Sequence, residues 1–589
     1  MEKLKKWFLI NKKADFEAIS KKFGISRILA RCIINRNVTP ENIEKYLHGT
    51  KKSMYSPHLL LNANLAANYL HDFIKESKKI RVIGDYDVDG VTATKILITG
   101  LRTCGANVDY AIPHRITDGY GLNENLIRAA YDDGVEVIVT CDNGIAAKEQ
   151  IDVANKLGMK VIVTDHHEVP YIEENGERNY ILPNALCVVD PKQEGDTYPQ
   201  TGICGAVVAY KLIELLYEKF NISNDELDYL LQFAAIATIC DVMDIVDENR
   251  IIVKAGLDII NTRPCMGIAK LIEATKMSGK TITAGHIGFI IGPCINASGR
   301  LETAQKAVNL LEEEDEFTAL ALATELKDIN EARKKMTEDK ANEAYQLIEE
   351  TDLGKDSIFV VNLEDCHESI AGIIAGRIKE RYNKPTLVFT KTEHGYKGSG
   401  RSIPAYNMFE ELNKVRDLFV KFGGHAMAAG MSVANLDSLN RVREVLNQRS
   451  TLVEDDFAEV THIDGELSLE YATLNLAKEL SLLEPFGVAN ATPLFAIRDL
   501  QIVKAFEMGS NHNAMKYTVK TPSGATSQLL DFGNIDNFIE HLKNLYGEEV
   551  LNEINNGTRN DVFVTITYKI SVNVFNGKEN VQIVLDNYK

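Results

Sequence analysis

The chain has no C-x-x-C pair anywhere in its 589 residues and no cysteine after Cys366. Its nine cysteines, Cys32, Cys104, Cys141, Cys187, Cys204, Cys240, Cys265, Cys294 and Cys366, are scattered and odd in number. That usage argues against a disulfide framework or a structural zinc site and fits a reducing cytosol. Long apolar runs are missing too. The N-terminal MEKLKKWFLINKK carries only four consecutive apolar residues, at 7–10. A signal peptide needs more, and nothing approaches the ~18 residues of a membrane span. The expectation is a soluble, cytoplasmic protein with no membrane association. Positive charge is short: 65 Lys and Arg stand against 84 Asp and Glu, a net charge of −19. Such a chain does not coat nucleic acid with its whole surface, so any nucleic-acid role must rest on a local basic groove or on metal ions. Low-complexity tracts and solenoid repeats are absent from the text.

What is present is ample material for several cores. Hydrophobic residues make up 45% and charged residues 25%, ordinary values for globular chains, and the length suggests roughly three to five domains. Residues 1–78 read as a polar-rich helical segment. Strand–helix alternation follows over 79–250. KKIRVIG (78–84), VDYAIP (108–113), GVEVIVT (134–140), GMKVIVT (158–164) and ALCVVD (185–190) are short β-branched runs, most of them followed by amphipathic stretches. Strands apolar on both faces predict a parallel sheet covered by helices. Residues 251–353 read as a helical extension. From 301 to 353 there is neither Gly nor Pro, which predicts one or two long helices between lobes. The acid run at 312–316 reads as a solvated N-terminal helix turn. A second α/β unit is expected over 354–452 and a mainly β domain over 453–589. There Val562, Val564, Ile566, Tyr568 and Ile570 alternate with Phe563, Thr565, Thr567 and Lys569, and Asn576-Gly577 marks a hairpin turn.

The strand ends carry the chemistry. The first strand runs into Asp85-Tyr86-Asp87-Val88-Asp89-Gly90, another into Asp142-Asn143-Gly144, and the next into Asp165-His166-His167. In an open parallel sheet these C-terminal ends lie side by side at the ligand crevice. One Asp after a strand is ordinarily a cap or turn residue, and Asp165 read alone would simply cap the next helix. The coincidence of all of them at one sheet edge points to divalent cations, because a bare cluster would repel itself by several kcal/mol. Asp and imidazole ligands without thiolates suit Mn²⁺, or Mg²⁺, better than zinc. Two ions about 3.5–4 Å apart would hold a phosphate, activate a water and stabilise a leaving oxygen. Asp241, at the end of the apolar run YLLQFAAIATIC, is a further candidate.

The motifs DYDVDG, CDNG, TDHH and CDVMDIVDENR, in this order, resemble the four motifs of the DHH phosphoesterase superfamily. The resemblance implies two metal ions, with Asp87 and Asp142 on one. Asp89, Asp142, His166 and Asp241 would hold the other, and Asp142 would bridge. Asp85 would ligate or support the first site, and His167 would contact the substrate phosphate. IPHRITDGYGL, INASGRLETA, GSGRSIPAYN, FGGHAMAAGM and LEPFGVANATPLF are similar to the single-stranded-DNA exonuclease branch of that superfamily. The implied fold class is α/β: a parallel-sheet DHH domain, a long helical segment, an α/β DHHA1 domain and a β-barrel of OB type. DCHESIAGIIAGR departs from the family pattern, which usually has a Trp before His367 and a Gly in place of Ser369. So does VANATP, where the family more often shows a G-N-P-type turn.

The residues partly support this branch on their own. Seven basic residues between 377 and 401 face only two acidic ones, against the acidic whole. Ser399-Gly400-Arg401-Ser402 has the parts of a phosphate clamp, and Gly423-Gly424-His425 allows close backbone approach with a donor. Mapping onto the family adds Arg115, Asn296 and Arg300 to the expected 5′-phosphate contacts. The expected function is 5′-3′ digestion of single-stranded DNA to 5′-mononucleotides in recombination and repair. Family partners would be a single-strand binding protein and a RecQ-type helicase, and the chain is expected to be a monomer. The rivals are a hydrolase of short oligoribonucleotides or cyclic dinucleotides, and a non-catalytic replication scaffold.

Overall fold

A computed structural model describes residues 4–174, 177–508, 514–533, 535–575 and 577–589. The chain divides into two compact units, one formed by residues 50–458 and the other by 2–49 together with 459–589.

The first unit is built around a five-stranded sheet in which every pairing is parallel. Its spatial order is Asn107–Ala111, Lys79–Ile83, Val137–Cys141, Lys160–Thr164 and Cys187–Val189. The strands are apolar on both faces because both are covered. Ile80, Val82, Val137, Val139 and Ile162 join a core with the helices Val88–Thr103 and Gly205–Phe220. Ile83, Ile138, Val161 and Val163 point the other way, against Glu124–Asp132 and Lys148–Lys156. The sequence order reverses between the first strand and its neighbour Val137–Cys141. That switch point opens a crevice at the C-terminal strand ends.

Helices from Gly205 onward lead to Glu316–Glu350, whose 35 residues span about 52 Å at 1.5 Å per residue. Asp315 caps it by accepting the Thr318 N–H at 2.9 Å. The acid run therefore splits in role. Asp315 and Glu316 serve the helix terminus, while Glu312 pairs with Lys95 at 2.6 Å and with Arg102. The second lobe has a five-stranded sheet in the order Lys421–His425, Ala428–Val433, Gly395–Arg401, Thr386–Thr392, Phe359–Asn362. Only the last two are parallel to each other. The helix Ala371–Tyr382 packs on one face through Ile374 and Ile378, and Leu436–Arg449 covers the other through Leu439, Val442 and Leu446.

The second unit is a closed ring of five strands. Phe495–Met508, Ala514–Lys520, Thr526–Asp531, Lys578–Tyr588 and Phe563–Phe575 pair in turn, and Phe495 meets Tyr568 to close the circle. Closure removes the sheet edge. The alternation read at 562–570 is real: Val562, Val564, Ile566, Tyr568 and Ile570 are buried. Asn576 of the expected hairpin turn lies outside the described residues. The N-terminal stretch is divided rather than continuous. Lys5–Leu9 is a strand paired in parallel with Glu459–Ile463, and the helices Phe16–Phe23, Arg27–Asn35 and Ile43–His48 share the barrel's core. A helical pattern tells that a face is apolar, and only the tertiary fold tells what covers it. Among the described residues, no helix is long and apolar enough to cross a membrane.

Candidate metal centre and anion site

The turn after Lys79–Ile83 folds onto itself. A Cβ on Gly90 would sit 2.4–2.6 Å from the Asp85 backbone, and one on Gly84 would lie 2.1 Å from the Thr94 hydroxyl. The two glycines thus permit a tight loop that presents three carboxylates. Asp87 caps Val88–Thr103, accepting the Asp89 and Gly90 N–H groups at 2.9 and 3.2 Å. Asp89, in the first turn, is buried and accepts the Gly205 and Ala206 N–H groups at 2.6 and 2.7 Å, at the start of Gly205–Phe220. One Asp85 oxygen accepts the Gly121 N–H at 3.3 Å, and the other is buried with no partner.

Asp142 ends the third strand in a left-handed conformation, φ 60°, with its carbonyl accepting the Tyr120 hydroxyl at 2.7 Å. Asn143 ties two strand ends together: its amide donates to the Ile83 and Cys141 carbonyls at 3.1 and 2.9 Å. His166 Nε2 lies 3.0 Å from Asp142, 3.5 Å from Asp89 and 3.8 Å from Asp241. Three groups of donor atoms result, each within 4.8 Å of one another: Asp85, Asp87 and Asp142; Asp89, His166 and Asp241; and Asp142, His166 and His167. Asp142 and His166 each appear in two of the groups. Asp165 has a different task. It accepts the Ile145, His166 and His167 N–H groups and binds His167 Nδ1 at 2.7 Å.

The carboxylates at this site crowd and repel one another. Burial, reinforced by neighbouring carboxylates, holds Asp85, Asp89 and Asp142 above the usual carboxylate range and pushes Asp241 up to about 8. Burial lowers His166. It also works against protonation of His167, but the Asp165 carboxylate outweighs it and lifts His167 to about 9. The fit to divalent cations rests on the orphaned Asp85 oxygen and on a donor set of carboxylate oxygen and imidazole nitrogen. Among the described residues the donor groups include no thiol, and burial raises the neighbouring Cys141 to about 12 and lifts Cys204 and Cys240 as well.

Next to this centre lies a group of arginines. None of Arg115, Arg300, Arg333, Arg377 and Arg401 has a carboxylate within 4.0 Å among the described residues. Burial, with Arg115, Arg333 and Arg401 nearby, lowers Arg300 to about 10, and Asp87 of the metal centre is close enough to oppose that shift. Arg300 donates to the Ser369 carbonyl at 2.8 Å, and Arg115 stacks 4.1 Å over the Tyr86 ring. A Cβ on Gly372 would meet Ser399 Oγ at 2.7 Å and the Arg401 guanidinium at 2.9 Å. Both side chains therefore lie against the first turn of Ala371–Tyr382, a helix end suited to an anion. Register sets Arg401, Ala428 and His425 in one row, and Ser399, Gly430 and Gly423 in the next row on the same face, with Gly400, Ala429 and Gly424 between them. Directly opposed residues share a face, so His425 stands on the arginine side. Gly424 takes φ 153°, where a Cβ would strike the Ala428 carbonyl at 2.4 Å.

One expected contact falls elsewhere. Ser402 is buried with its hydroxyl donating to the Tyr406 carbonyl at 2.5 Å, one residue out of step with the arginine face. Asn296 accepts the Val88 N–H at 3.2 Å and so braces the metal loop. Sequence reasoning passed over Asn143, Tyr120 and the orienting role of Asp165. Their signal was adjacency to the motifs, but a second-row hydrogen bond leaves no pattern of its own. Arg333 was missed because it lies on the long helix, far from any motif.

Three families match the chain: the DHH family N-terminal domain over residues 79–238, the DHHA1 domain over 355–451 and the RecJ OB domain over 463–587. The single-stranded-DNA-specific exonuclease RecJ of Bacillus subtilis is 35% identical over 86% of this chain and 63% of its own length, so the chain spans less than two thirds of that relative. The Escherichia coli protein of the same name is 31% identical over 92% of each chain. The crystal structure of RecJ in complex with Mn²⁺ from Thermus thermophilus superposes with a TM-score of 0.78 at 25% identity, covering 99% of this chain and 79% of that one.

Proposed function

The chain belongs to the RecJ family, and on that premise we propose that it is a single-stranded-DNA-specific 5′-3′ exonuclease acting in recombination and repair. The observation that carries this is the pairing, inside one compact unit, of a carboxylate and imidazole cluster fit for divalent cations with a neighbouring group of arginines that have no carboxylate within 4.0 Å among the described residues. A phosphodiester next to a terminal phosphate complements both.

Asp85, Asp87 and Asp142 would hold one divalent cation, and Asp89, His166, Asp241 and Asp142 a second, with Mn²⁺ preferred over Mg²⁺. When bound, the ions supply the charge that activates water and neutralises the phosphodiester. The rest belongs to the chain. Gly205 and Ala206 aim both Asp89 oxygens. Asp165 keeps His167 protonated and turned, so that its ring donates to a phosphate oxygen rather than accepting. Arg300, Arg401, Ser399, Arg115, Gly424 and His425 anchor the 5′-phosphate, so that each cut releases one 5′-mononucleotide. The barrel supplies an OB-type surface for the incoming single strand. Single-strand binding protein and a RecQ-type helicase are the expected partners, in the cytoplasm, with the chain acting as a monomer.

Digestion of 5′-labelled and 3′-labelled single strands and duplexes in Mn²⁺ tests the reading. Label should leave the 5′ end first as mononucleotide, and duplex should resist. Release from the 3′ end, or cleavage confined to di- and trinucleotides or cyclic dinucleotides, would overturn it in favour of a short-oligonucleotide hydrolase. No cleavage at all would favour a scaffold.

A further inference from the structure

Among the described residues, two aromatic side chains are more than four-fifths exposed: Phe289 at 82% and Phe317 at 84%. Phe317 belongs to the first turn of Glu316–Glu350. Phe289 is the one that the fold ties to the metal centre. It lies in a five-residue π-helical turn, Ile287–Ile291, that runs straight into the helix Gly292–Leu301. Such turns are rare and recur at functional sites. This one is seated on the end of Leu231–Cys240. A Cβ on Gly292 would meet Cys240 Sγ at 2.3 Å, and one on Gly288 would meet Ile239 at 3.4 Å. The next residue of that chain is the metal-site Asp241, followed by Val242, itself 64% exposed.

The part of the segment that is not fully buried forms a single stripe. Between 291 and 300, only Pro293, Asn296 and Arg300 escape burial, and the same face continues back through Phe289. Spacings of four, three and four residues put these side chains in line along a helix. At one end Arg300 lies among the arginines. In the middle Asn296 holds the Val88 amide between Asp87 and Asp89. Phe289 stands about 10 Å further along the axis. Beyond the metal centre, away from the terminal-phosphate anchor, the stripe thus offers a bare aromatic ring.

We propose that Phe289 is the stacking platform for a nucleobase on the 3′ side of the scissile phosphodiester. The proposal rests on the exonuclease reading above and names a contact within it. A strand anchored at Arg300 and cut beside Asn296 must continue toward Phe289 if it follows the stripe. Every base has a π face, so such a contact holds any sequence in register without reading it. An unshielded Phe elsewhere on a surface would ask for a protein partner. Here the continuity with the site assigns it to the strand.

The test combines Phe289→Ala and Phe289→Trp with 5′-phosphorylated single strands carrying one abasic position, moved stepwise from the 5′ end. Phe289→Ala should raise KM about 5- to 50-fold, and Phe289→Trp should bring it back toward the wild-type value. At one position the abasic site should cost the wild type a similar factor and cost Phe289→Ala nothing more. An unchanged KM, or abasic and alanine penalties that multiply at every position, would overturn the proposal. So would altered self-association of Phe289→Ala in sedimentation with an unchanged KM, which would make the ring a protein contact. Failure of the exonuclease reading would look different, since the wild type itself would release no 5′-mononucleotides. The side chain is exposed, so thermal midpoints of the three proteins should coincide.

Discussion

Two buried charged regions of the same lobe are put together in opposite ways. Lys211 and Glu248, both fully buried, meet at 2.9 Å. Glu248 also accepts the Tyr55 N–H at 2.9 Å and the Tyr198 hydroxyl, and Lys211 donates to the Tyr55 carbonyl at 2.6 Å. Every charge there has an internal partner. The acidic edge of the parallel sheet buries Asp85, Asp89 and Asp142 beside an imidazole that burial makes harder to protonate, and a carboxylate oxygen is left unbonded. Burying a charge is costly unless it is paired. A chain that completes one such network and leaves the other open has left the second for something that binds.

The contrast can be broken at its strongest point first. Asp142→Ala removes the residue shared by two donor groups, and turnover in saturating Mn²⁺ should fall at least about 10³-fold, with single-strand binding still measurable. Retained turnover would refute the bridging role. On the closed side, Glu248→Ala should leave buried Lys211 with only the longer contact to Glu214, at 3.5 Å, and destabilise the protein by about 3 kcal/mol in denaturant titration. A conservative loss below 1 kcal/mol would mean that the pair does not support the lobe. The arginine group mirrors the acidic edge, so Arg401→Ala should raise KM for 5′-phosphorylated strands about ten- to a hundredfold and abolish their advantage over 5′-hydroxyl strands. Equal loss on both strands would place Arg401 away from the terminal phosphate.

The smallest effect concerns pH. His167 is raised from 6.5 to about 9 by Asp165, and Asp165 is lowered from 3.8 by His167. A raised base stabilises the fold fully below its ordinary value and loses that contribution as pH rises through the folded one. In metal-free protein, Asp165→Asn should therefore cost most stability between about pH 4 and 6.5. The difference should fade as pH climbs past 9. Thermal midpoints across that range check it, and a cost that grows with pH would contradict the pairing.

Local patterns made much of the molecule legible. The doubly apolar runs at 79–83, 137–141 and 160–164 announced a covered parallel sheet, and parallel order alone brings their following residues to one edge. Asp85, Asp87, Asp89, Asp142 and His166 were readable for that reason. The barrel's alternation at 562–570 was equally open. Less legible was anything decided by a partner distant in sequence. Residues 2–49 look like any helical segment, yet Lys5–Leu9 is a strand whose partner starts at Glu459. Asp165 read as a cap or a ligand, and its bond to His167 is a matter of side-chain reach. Ser402 read as a clamp residue until strand alternation turned it inward.

The amino-acid sequence alone therefore determined the sheet, the metal-binding residue types and the family, because alternation, turn chemistry and motif spacing are properties of neighbours along the chain. Tertiary structure decided which charges are answered and which are left open. Lys211 and Glu248 find each other across 37 positions. Arg300, Arg333 and Arg401 gather from two lobes and a connecting helix without a carboxylate among them. Phe289 becomes a surface feature only because Gly288 of the π-helical turn packs against Ile239 and Gly292, just after the turn, against Cys240. Pairing, exposure and alignment depend on what lies across the fold, and no local period encodes them.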